Sequence, residues 1–173
     1  MTKVEVNDKR LREASEKEDM DAFVQVFIDA IKTFIGGELS SDNLELLNSD
    51  QITLLAWDIM HEEVMDGGVI QLIHNGYGPF IWKNPTDKAF RNWGLQDIYK
   101  WISKSHALYN QWHEDIEKDC NEDEFMSLFE KYPKFDDYDD AFVDNEETWT
   151  KEIAHYIDEN IDNFAVIKNT ENE

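Results

Sequence analysis

One cysteine, few bases and no long apolar run: each shortage removes a class of function. Cys120 alone can close no internal disulfide, and no cysteine spacing suits a metal cluster, so nothing indicates an oxidising compartment. Only 16 Lys and Arg stand against 39 Asp and Glu, a formal charge of −23 over 173 residues. A field of that sign repels nucleic acid and anionic lipid and attracts basic proteins or cations. No stretch approaches the roughly 20 apolar residues of a membrane span. The opening MTKVEVNDKRLREASEKEDMD holds no apolar segment of the kind a signal peptide needs. These absences read as a soluble, cytoplasmic protein. There is also no internal repeat, no Gly/Ser linker and no convincing series of strands.

What is present is material for a core. The chain is 41% hydrophobic and 13% aromatic, with six Trp, ten Phe and six Tyr. That excludes the disorder a highly charged composition otherwise suggests. Residues 1–18 read as a polar arm or short exposed helix, 19–168 as a single, mainly α-helical domain, and 169–173 as a frayed tail. Phe23, Phe27, Ala30, Ile31 and Phe34 follow helical steps up to Gly36-Gly37. A short helix is expected at Leu44–Leu47, then Asn48-Ser49-Asp50 as the cap of a helix carrying Ile52, Leu55, Ala56, Ile59 and Met60. Asp66-Gly67-Gly68 stops that helix, Val69–Ile73 forms a short buried one, and Tyr77–Phe80 is a loop. A minor helix at Thr86–Asn92 precedes a long one from about Leu95 to Lys118. Asn121 and Glu124 have capping-box spacing before Phe125, Leu128 and Phe129. Phe135–Asp144 reads as an acidic loop, Glu146–Asn163 as the last helix, and Ala165–Lys168 as a short extended tail.

Catalytic motifs fail on inspection. His61-Glu62-Glu63-Val64-Met65 begins like a zinc-protease helix, but Met65 occupies the place of the second His. His106 and His113 are two turns apart, too far for one metal. The run Asp136-Asp137-Tyr138-Asp139-Asp140 lacks the alternation and the sixth-position Gly of a calcium loop. Gly76 and Gly78 precede no Lys-Ser or Lys-Thr. No enzyme, metal or cofactor is therefore expected. The remaining enzymatic or metal-binding alternative would use His61, Glu62, Glu63 and His74 around a Gly-Gly cleft.

The acids are polarised along the chain: from Glu114 onward there are 21 against five lysines. Acids three or four residues apart on a helix share a face at about 5–6 Å, of the order of the phosphate spacing along one DNA strand. A partner-binding surface is expected from Glu114, Glu117, Glu122, Asp123, Glu124, Asp136, Asp137, Asp139, Asp140, Asp144, Glu146, Glu147, Asp158 and Asp162. Its partners would be basic DNA-binding proteins, a transcriptional regulator or nucleoid protein, with no direct nucleic-acid or membrane contact. A homodimer would lengthen the acidic track. The alternatives are an immunity or inhibitor protein for one basic toxin or nuclease, and a helical domain whose charge only keeps it in solution.

The string Glu63-Val64-Met65-Asp66-Gly67-Gly68-Val69-Ile70-Gln71-Leu72-Ile73-His74-Asn75-Gly76-Tyr77-Gly78 resembles the signature of the DNA-mimic-protein-19-like family, which includes a bacterial DNA-mimic protein. Glu63, Gly67, Gly68, Gln71, Asn75 and Gly78 match. Asp66 replaces the more usual Asn, and Val69 stands where an aromatic is common. The C-terminal layout through Tyr156, Asn160 and Asp162-Asn163-Phe164 is also similar, so the resemblance runs from about residue 20 to 165. It implies a mainly helical fold and, through its known member, binding to DNA-binding proteins in place of DNA. The six matching residues imply a structural motif: glycines permit a tight helix–helix turn, and Gln71 and Asn75 satisfy polar groups near it.

Overall fold

The computed structural model describes residues 3–169. Helix dominates it: among the described residues there are nine α-helices and only two three-residue strands. Of the frayed tail expected at 169–173, all but Asn169 lies outside the described residues. The chain forms two compact units, one from residues 1–55 and 147–173 and the other from Ala56–Glu146.

The first unit begins with β1 (Glu5–Asn7) and α1 (Asp8–Glu16), where Asn7 caps the helix by accepting the Lys9 and Arg10 N–H groups. Val4 and Val6 are buried, so the polar composition of this segment conceals a period-two apolar pair. Helix α2 (Met20–Ile35) is capped by the Asp19 side chain and ends at Gly36, whose φ of 82° is left-handed. It buries Phe23, Phe27 and Ile31, as its helical spacing predicts. The start of α3 (Ser49–His74), the end of α8 (Asp136–Glu159) and α9 (Ile161–Phe164) complete this core, with Leu54, Ile153, Ile157 and Phe164 fully buried. The last helix was expected to reach Asn163, but it ends at Glu159, ahead of Asn160, whose backbone is non-helical. Gln51 and Asn48 donate to the Phe164 and Asn163 carbonyls at 2.9 and 2.7 Å, satisfying backbone that α9 leaves open. The extended tail is β2 (Val166–Lys168), paired in parallel with β1 in the register Val6 to Ile167.

The second unit contains the rest of α3, then α4 (Gly78–Trp82), α5 (Thr86–Asn92), α6 (Gln96–Ile116), α7 (Glu122–Lys131) and the first turns of α8. Two expectations are corrected here. Tyr77–Phe80 is not a loop, because Pro79 stands in the first turn of α4, where its missing N–H costs nothing. Nor is Phe135–Asp144 an acidic loop: α8 begins at Asp136 and runs through it. Phe142 explains why. It is fully buried, stacked on Trp57 at 5.7 Å and edge-on to Trp101 at 5.4 Å, so the segment must coil to bring it inward. Two buried indoles here have polar partners, Trp82 with Ser105 Oγ and Trp101 with the Tyr138 carbonyl.

Candidate partner-binding surface

The Gly67-Gly68 pair interrupts α3. Gly67 adopts φ −143°, ψ 17°, and Gly68 adopts φ 75°, ψ −176°, so two helices meet at a kink within one continuous segment. The second of them, from Val69, needs acceptors for its first N–H groups. Asp139 of α8 provides one: its Oδ1 accepts the Val69 N–H at 2.8 Å. A side chain at Gly68 is impossible without displacing that carboxylate, since a Cβ there would lie 2.5 Å from Asp139 Oδ2.

The other residues of the string close around the same kink. Gln71 donates from Nε2 to Glu63 at 3.0 Å and Asp66 at 2.9 Å, and Asn75 donates to Glu63 at 2.8 Å. Gln71 also occupies the space beside Gly67 that a Cβ would fill. Gly78 faces the ring of Tyr109, which stacks between Trp82 at 4.8 Å and His113 at 4.6 Å. Glu63, Gly67, Gly68, Gln71, Asn75 and Gly78 thus each have a packing or hydrogen-bonding role.

Of the cleft expected from His61, Glu62, Glu63 and His74, the side chains of His61, Glu63 and His74 each turn to a different partner. His61 Nε2 lies 2.8 Å from Glu146 Oε1, Glu63 accepts from Gln71 and Asn75, and His74 Nδ1 donates to the Ile116 carbonyl.

The expected partner acids divide into two sets. Three are half-buried and engaged within the second unit. Glu117 pairs with His113 at 3.1 Å, Glu146 with His61, and Asp139 with the Val69 N–H. Burial pushes the Asp139 carboxyl up to about 6, with Asp136 and Asp140 adding repulsion and the Val69 N–H opposing both. The remaining eleven are exposed. In the second unit these are Glu114 on α6, Glu122, Asp123 and Glu124 on α7, and Asp136, Asp137, Asp140 and Asp144 on α8. In the first unit they are Glu147, Asp158 and Asp162.

Position along each helix separates the exposed acids further. Glu122, Asp123 and Glu124 occupy the first turn of α7, and Asp136 and Asp137 that of α8, where carboxylates favourably meet the positive helix end. Asn121 accepts the Glu124 N–H there at 2.8 Å. Those five acids help their helices. Glu114 and Asp158 do the reverse, because they sit in the last turns of α6 and α8, beside the negative end. Asp140 and Asp144 lie beyond the first turn and continue from Asp136 in steps of four, a row along one face of α8.

One acid outside the expected set is neutralised locally. Asp115 binds Lys131 at 2.7 Å, accepts from the Tyr132 hydroxyl and meets Lys118 at 3.5 Å. Hydrogen bonding from Lys131, then from Tyr132, holds its carboxyl down to about 2. Sequence spacing alone gives no sign of this difference between Asp115 and Glu114.

Among the described residues no helix is long and apolar enough to cross a membrane. The profile of the DMP19-like protein family matches residues 45–160. A relative described as DNA mimic protein DMP19, from Neisseria meningitidis serogroup B (strain ATCC BAA-335 / MC58), is 33% identical over 132 residues, covering 75% of this chain and 79% of the relative.

Proposed function

The chain belongs to the DMP19-like family, and from that membership we propose that it acts as a DNA mimic, occupying the basic face of a DNA-binding protein and competing with DNA for it. The observation that carries this reading is the placement of acids where the fold gains nothing from them. Asp136, Asp140 and Asp144 present a solvent-exposed row on α8, with only the first aided by the helix terminus. Glu114 and Asp158 are exposed at helix ends that disfavour them. Charge retained against local stability is accounted for by a cationic partner. The description of the relative as a DNA mimic supports the same chemistry.

The mechanism is competition. Many weak carboxylate contacts sum over the partner's phosphate-binding residues, and the field of a −23 chain speeds encounter. Such a complex weakens as salt rises, because exposed charges are screened beyond about 8–10 Å at physiological ionic strength. A transcriptional regulator or nucleoid protein has the required basic face.

The test is affinity capture on the immobilised chain at low salt, followed by elution with duplex DNA. Release of basic DNA-binding proteins is expected from wild type, and their loss from the triple variant Asp136→Asn/Asp140→Asn/Asp144→Asn. A captured protein that neither DNA nor the triple variant displaces would reject mimicry and favour an inhibitor of one basic toxin or nuclease.

A further inference from the structure

The second unit also carries a patch of opposite sign. Lys83, Lys88, Arg91, Lys100 and Lys104 lie within 22 consecutive positions that hold only two acids, Asp87 and Asp97. All five are exposed, and none forms an ion pair among the described residues. In a chain where acids outnumber bases more than twofold, that isolation needs explaining. The cations at Lys9, Arg10, Arg12, Lys32, Lys118, Lys131 and Lys168 have carboxylate partners; Lys3, Lys17, Lys134 and Lys151 have none either among the described residues, but they are scattered along the chain, so what distinguishes the five is their clustering.

Helix geometry gathers the patch. The seam between α5 and α6 is fixed by two contacts: Asp87 accepts from Ser103 Oγ at 3.0 Å, and the Arg91 guanidinium lies over the Tyr99 ring at 5.1 Å. Asp87 and Arg91 are four apart on α5, Tyr99 and Ser103 four apart on α6, and the order is reversed, so the helices run antiparallel. In an antiparallel pair of right-handed helices, the residue following each seam residue turns to the same side. Those residues are Lys88, Asn92, Lys100 and Lys104, three lysines and one amide. Arg91 borders them with its ring-facing plane already ordered by Tyr99, which lowers the cost of using its N–H edge. Asp87 is held by Ser103; Asp97, three residues before Lys100 in the first turn of α6, shares the lysines' face but forms no ion pair with them among the described residues, so one carboxylate stands against three ammonium groups.

We propose that this face of α5 and α6 binds a short acidic segment of a partner protein, a run of Asp and Glu. Charge complementarity selects carboxylates, and the rest of the molecule selects their carrier. Duplex nucleic acid and anionic membranes are long, uniform polyanions, and they bring negative charge far beyond the patch toward the acids of a −23 chain. A segment of five or six residues stays within about a Debye length of the lysines and meets only their field. This surface is independent of the acid row on α8, and each can fail without the other.

The test is a titration of the isotopically labelled full chain with hexaglutamate at about 100 mM salt, where the Debye length is about 10 Å, followed by amide chemical shifts. Shifts are expected at Lys88, Arg91, Tyr99, Lys100 and Lys104. Apparent affinity should fall about tenfold in Lys100→Glu/Lys104→Glu and be kept in Lys100→Arg/Lys104→Arg. Should the reversal variant misfold, Lys100→Gln/Lys104→Gln replaces it with the same expected direction. Absent shifts, or shifts that persist in the charge variants, overturn the proposal. Equal binding of single-stranded DNA or of phosphatidylglycerol vesicles overturns it in favour of phosphate. Self-association that these variants abolish overturns it in favour of a second copy of this chain.

Discussion

Asp139 answers two demands that conflict. Its carboxylate caps the helix that restarts at Val69, yet it is more than half buried near Asp136 and Asp140, and its pKa is pushed up to about 6. A carboxyl whose folded pKa lies above its unfolded value adds stability that is fully present below about 4 and is lost as pH rises through 6. Asp139→Asn keeps an oxygen that accepts the Val69 N–H and removes the charge. It should therefore be more stable than wild type at pH 7, by about 1–2 kcal/mol after allowance for the solvent that still reaches the group. The difference should vanish near pH 4, and denaturant melts at both pH values measure it. A variant less stable than wild type at pH 7 would mean that the charged cap outweighs the burial cost. Gly68→Ala tests the other side of the same contact. It forces an L side chain to φ 75° and against Asp139, and should cost at least about 2 kcal/mol in the same melts.

Helix ends separate the acids that help the fold from those that burden it. Neutralising Glu114 or Asp158 removes a carboxylate from a negative helix end and should raise stability by about 0.3–1 kcal/mol each. Neutralising Glu122 and Asp123 in the first turn of α7 should lower it by a similar amount. If the acids at the C-terminal turns serve a partner, Glu114→Gln and Asp158→Asn gain stability and lose affinity together. Thermal melts beside a partner-binding titration read both quantities, and a gain in stability with unchanged affinity would remove these two acids from the surface. The same elements show what was legible in the chain. Helix α5 has the boundaries its sequence indicates, and the halves of α3 meet where Gly67-Gly68 stand, because glycine and apolar spacing are local signals. The start of α8 is obscured by its dense acids, although Tyr138, Phe142, Trp149, Ile153 and Ile157 keep helical spacing throughout as a stripe of aromatic and aliphatic residues. Strand β1 and the residue before it offer only Val6 and Val4, too few to establish a period. No local pattern joins Asp139 to Val69, 70 residues away, or Lys131 to Asp115, so the sorting of acids into engaged and free required the fold.

At the scale of the whole molecule, a formal charge of −23 should make folding and the proposed binding respond to salt in opposite directions. Self-repulsion among like charges opposes the folded state, and added salt screens it. The described ion pairs pull the other way but are mostly exposed, and pairs of that kind contribute roughly 0–1 kcal/mol each. Repulsion should therefore dominate, and the melting temperature should rise by roughly 5 °C between about 20 mM and 500 mM sodium chloride. Over the same range, affinity for a basic partner should fall steeply. A melting temperature that falls with salt would mean that attractive pairs hold the fold together, and the acids would then need no partner to explain them. A rise, combined with lost affinity, is the behaviour of a protein whose surface charge is carried for binding at the expense of its own stability.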